Sequence, residues 1–77
     1  MAMKQQAYSL AAATKSLQLA LGVQRAVRGP SFNETKYLAM RKIEALANQA
    51  LCEASGNLES AKHWKLCHAA ICLYINS

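Results

Sequence analysis

A chain of 77 residues has room for one domain with a modest core, a size at which metal, disulfides or oligomerisation commonly add support. Apolar residues make up 53% and charged residues 17%, which excludes a disordered chain and leaves thin polar cover over the fold. The formal charge of +5 is unevenly placed: the first acidic residue is Glu34, and before it stand only the cations Lys4, Lys15, Arg25 and Arg28. Such an acid-free third is drawn to phosphate, to an anionic membrane or to an acidic protein face.

Two breaks divide the chain. At Arg28-Gly29-Pro30-Ser31, Gly29 suits the left-handed position that ends a helix, Arg28 favours a helix C-terminus, and Pro30 prevents continuation. Helix 1 is therefore expected from about Met3 to Arg28. Its main stripe is Leu10, Ala13, Leu17, Ala20 and Leu21, and a second apolar surface is made by Tyr8, Ala12, Leu19, Val23 and Ala26.

Ser31 and Glu34 have the spacing of a capping box, so helix 2 is expected from Phe32 to Ala54. Its apolar stripe, Phe32, Ala39, Ile43, Leu46, Ala47, Ala50 and Ala54, is expected to face the core, with Glu34, Arg41, Lys42, Asn48 and Gln49 turned away. The second break is Ser55-Gly56-Asn57. Gly56 closes helix 2 and Asn57 caps helix 3, over about 58–75, and so short a connection folds the two helices into an antiparallel hairpin. The fold expected is all-α, a compact three-helix bundle in one domain.

Helix 3 is apolar nearly all round. At ~100° per residue, Ala61, Trp64, His68, Ile71 and Ile75 share one face, while Leu66 and Leu73 stand opposite, with Ala69 and Ala70 between. Such a helix is either sandwiched inside its own fold or half covered by another molecule, and a chain this short has little material for a sandwich. The sequence therefore points to a partner-binding surface of Leu66, Ala70, Leu73 and Tyr74 on helix 3 with Tyr8, Leu19 and Val23 on helix 1. A foreign protein or a second copy of the chain would cover it. The rival reading is charge-driven nucleic-acid binding through Lys4, Lys15, Arg25, Arg28, Arg41 and Lys42, although four cations spread along helix 1 make a sparse electrostatic footprint.

Other motifs are weaker. A helix-turn-helix at Gly56-Asn57 needs apolar residues where Lys62 and Lys65 stand. Gly56 to Ala61 resembles the start of the second helix in a tetratricopeptide-type hairpin over roughly a third of the chain, but one unit falls short of the three or so a solenoid needs. It reads as a general helical-hairpin solution.

His63 and Cys67 have the spacing of two metal ligands, and Cys52 is a third candidate, yet a closed site would need His68 or Cys72 from another angle. They read as core residues, with no metal or cofactor expected. Three cysteines without a secretory signal argue for thiols and a cytoplasmic protein, and no run is long enough to span a bilayer. No paired carboxylates, phosphate loop or nucleophile with a base appear, so no enzyme activity is expected. The function expected is that of a small protein-binding regulator, inhibitor or adaptor, with a self-assembling structural protein as a further alternative. By association of size and class alone, such chains are common among phage and mobile-element accessory proteins.

Overall fold

The computed structural model describes residues 9–77, and these form three α-helices with no strand among them. Helix α1 spans Leu10–Arg28, α2 spans Glu34–Ala54 and α3 spans Leu58–Asn76, with a 3-10 turn at Gly29–Ser31 between the first two. Tyr8 and Lys4 lie outside the described residues.

The helix ends are set by short polar side chains. Ser9 is extended (φ −126°, ψ 167°) and its hydroxyl accepts from the Ala12 amide at 3.1 Å, so α1 opens at Leu10; the part of the expected helix from Met3 to Tyr8 lies outside the described residues. Gly29, at φ 62°, ends α1.

The expected capping box does not form. Ser31 donates instead to the Arg28 carbonyl at 2.8 Å, and Asn33 caps α2, its side-chain oxygen accepting from the Lys36 amide at 3.0 Å. Glu34 leaves the cap because its carboxylate finds charge-assisted partners on the other helices. Helix α2 consequently begins at Glu34 rather than Phe32.

The α2–α3 turn follows the sequence. Asn57 donates its amide to the Cys52 carbonyl at 2.8 Å and Gly56 to Glu53 at 3.2 Å, the paired bonds of a Schellman closure, with Gly56 at φ 82°. The Asn57 side chain then accepts from the Ser60 amide at 3.2 Å and opens α3.

Helix α3 is the middle helix. It packs against both α2 and α1, whereas α1 and α2 touch each other far less. Ala61 and Ala70 are nine residues apart, hence on opposite sides of the helix at ~100° per residue, and both are buried. The all-round apolar character of α3 is therefore largely consumed by its own chain. The core proper is Leu17 and Leu21 of α1, Leu38 of α2 and Ile71 of α3, with Phe32, Tyr37 and Tyr74 packed around it.

Candidate partner-binding faces

Helix α2 is turned opposite to the sequence expectation. Its inward side carries Leu38 and Ala45, buried, with Glu34, Arg41, Lys42, Asn48, Gln49 and Cys52 half-buried. Its apolar stripe faces water: Ala39, Ile43, Leu46, Ala47, Ala50 and Ala54 are all exposed, Ile43 at 67%. Met40 and Leu51 widen that outward face. Of the expected stripe only Phe32 is half-buried, and it precedes the helix.

The reason lies in what α3 offers. Leu38 fits among Leu17, Leu21 and Ile71, and on the remaining inward turns small or long flexible side chains suffice. Arg41 lies over a small gap of about 70 Å³ lined also by Ala13, Ser16 and Leu17 of α1 and by Cys67 and Ile71 of α3. Its guanidinium is paired with Glu44 on the same helix. An amphipathic pattern identifies an apolar side but does not say which molecule covers it.

Helix α1 follows the sequence over most of its length. Of the expected inward stripe, Ala13, Leu17 and Leu21 are buried and Ala20 is half-buried, while Leu10, in the first turn, is exposed at 37%; on the other side Ala12, Leu19, Val23 and Ala26 are exposed, Leu19 at 64%. Val27, 76% exposed, extends the outward row and was missed because it stands beside the cationic end of the helix.

The expected residues on α3 divide. Leu73 is exposed and Leu66 half-buried, on the outer strip with Lys62 and Lys65. Ala70, only 1% exposed, is a core residue and not a contact residue. Tyr74 is engaged internally: its hydroxyl donates to Glu34 at 2.8 Å and accepts from Arg25 at 3.1 Å. The surplus apolar surface thus lies mainly on α1 and α2.

The cations divide too. Arg25 is paired with Glu34 at 2.6 Å, which raises its pKa above the ordinary value, and Arg41 is paired with Glu44. Lys42 is half-buried, while Lys15 and Arg28 are exposed. Arg28 borders an open cleft of about 430 Å³ with Lys36, Phe32 and Tyr37. The two rings meet edge to face, centroids 5.5 Å apart. This grouping of aromatics and cations was invisible in the sequence because the turn, and not one helix face, assembles it.

Cys52, Cys67 and Cys72 are half-buried and none is in a disulfide. His68 and Cys72 approach each other one turn apart, the sulfur 3.7 Å from Nε2. No group of three metal-ligating side chains gathers among the described residues, and none of their helices is long and apolar enough to cross a membrane. Compared with protein-family models, curated proteins and solved structures, the chain finds no match in any of the three.

Proposed function

We propose that the chain is a small non-enzymatic binding protein, a regulator, inhibitor or adaptor that works in the cytoplasm by laying an apolar helical face against another protein. The observation that carries this reading is the outward row Leu19, Val23 and Val27 of α1, side chains that no other part of the described chain covers. Each would contribute roughly 1.5 to 3 kcal/mol if a partner buried it fully. Lys15 borders the row and α1 has no acidic residue, so the complementary partner surface is an apolar patch rimmed by carboxylates.

The test is capture from lysate with nuclease present, comparing the wild type with Leu19→Glu/Val23→Glu. A protein partner retained by the wild type and lost by the variant supports the reading; recovery that depends on nucleic acid contradicts it.

A second reading has one observation in its favour. The cleft of Arg28, Lys36, Phe32 and Tyr37 combines cations with aromatic surface, the pairing that suits single-stranded nucleic acid. Under this reading binding falls steeply with salt and is lost with Arg28→Glu/Lys36→Glu.

A further inference from the structure

The cleft at the α1–α2 turn differs from the outward helix faces in that its lining specifies an occupant. Arg28 comes from the end of α1, Phe32 from the turn, and Lys36 and Tyr37 from the start of α2, around about 430 Å³ of open space. No acidic side chain among the described residues lines it, and neither Arg28 nor Lys36 has an ion-pair partner among them. Glu34, between Phe32 and Lys36 in the chain, is held elsewhere by Arg25 and Tyr74. Two unneutralised cations beside two aromatic rings match an anion attached to a flat ring. The polar atoms of the lining fit a heterocycle: Asn33 uses its side-chain oxygen in the cap of α2 and keeps its amide nitrogen as a donor, and the Ser31 hydroxyl, donating to the Arg28 carbonyl, can still accept.

The charge of the cleft matches one phosphate rather than a series. A strand is held by a cationic groove that tracks successive phosphates, and no such track leads out of this cleft among the described residues. Arg25 is paired with Glu34 and Arg41 with Glu44. Lys15 stands thirteen residues before Arg28, about 20 Å away along α1. We propose that the cleft is a binding site for one nucleotide unit, its phosphate held by Arg28 and Lys36 and its base against Phe32 and Tyr37. The unit is a free mononucleotide or the phosphorylated end of a strand. The proposal rests on the second functional reading for the chemistry of the cleft and narrows it from a strand to a single unit; it is independent of the outward row of α1.

The test is a set of amide NMR titrations of the isotope-labelled full chain with adenosine monophosphate, adenosine, inorganic phosphate, and oligoadenylates of several lengths with and without a terminal phosphate. The monophosphate is expected to shift amides within residues 28–40 and to bind about tenfold more tightly than adenosine or inorganic phosphate, because it carries the ring and the anion together. Arg28→Ala/Lys36→Ala, both at exposed positions, is expected to fold normally and to bind the monophosphate no better than adenosine. Phe32→Leu/Tyr37→Leu, which keeps apolar side chains against the core, is expected to bind it no better than inorganic phosphate. Oligoadenylates no tighter than the monophosphate identify the free nucleotide as the ligand, and oligoadenylates tighter only with the terminal phosphate identify a strand end. Affinity that rises with strand length whether or not the end is phosphorylated would overturn the proposal and leave the second reading standing. No shift with the monophosphate, or binding unchanged in Arg28→Ala/Lys36→Ala, would also overturn it. Capture through α1 is unaffected by any of these results.

Discussion

Tyr74 and Glu34, forty residues apart, are joined by a hydrogen bond of 2.8 Å from the phenol to the carboxylate, and Arg25 bonds to both. The end of α3, the start of α2 and the end of α1 are thereby closed on one another. Arg25 holds the Glu34 carboxyl below its ordinary value, and the Tyr74 hydroxyl adds to the effect. Because the folded-state pKa is depressed, the stabilisation is fully present above the ordinary carboxylate pKa of about 4.3 and is lost as pH falls through the folded-state value. Glu34 is only half-buried and Arg25 is exposed, so solvent and salt reduce the effect. Tyr74→Phe and Glu34→Gln are both expected to lower the thermal midpoint at neutral pH. For Glu34→Gln the gap from wild type should narrow in acid, read from melts across a pH series; a gap independent of pH would contradict this role.

The caps give a sharper test of the helix boundaries. Asn33→Ala and Asn57→Ala are each expected to cost about 0.5–2 kcal/mol, because each removes the acceptor for a first-turn amide. Ser31→Ala is expected to cost less than Asn33→Ala, since Ser31 bonds only to the Arg28 carbonyl. Urea midpoints measure the order, and the reverse order would return the cap to Ser31.

In the core, Leu21→Ala and Ile71→Ala should each cost about 2–5 kcal/mol, whereas Leu73→Ala should have little effect on folding. Equal losses at Leu73 and Ile71 in denaturant melts would place both sides of α3 in the core.

Gln24 is the exception in the opposite direction. Its Oε1 is buried without a hydrogen-bond partner among the described residues, a desolvation cost of about 1–3 kcal/mol. Gln24→Leu is expected to raise the melting midpoint, and a lowered midpoint would show that the amide is satisfied.

Much of this fold was legible because glycine and proline constrain the backbone locally: Gly29-Pro30 and Gly56-Asn57 fall where α1 and α2 end. The inward side of α1 was legible from spacing, since Ala13, Leu17 and Leu21 recur four residues apart on one face. Helix α2 was not. Its strongest periodicity, through Ile43 and Leu46, marks a side that the chain itself leaves uncovered, while its inward side mixes Leu38 and Ala45 with Arg41 and Asn48. Ala70 was misplaced because a short sequence gives no sign that two helices will both pack against a third.

Leu19 and Val23 face away from the core, and denaturant unfolding of Leu19→Glu/Val23→Glu tests that placement most directly. The predicted result is a cooperative transition within about 0.5 kcal/mol of wild type per substitution, as expected for surface positions, while Leu17→Glu/Leu21→Glu abolishes folding. Loss of the cooperative transition in the Leu19→Glu/Val23→Glu chain would contradict the account, because it would return the outward row of α1 to the interior.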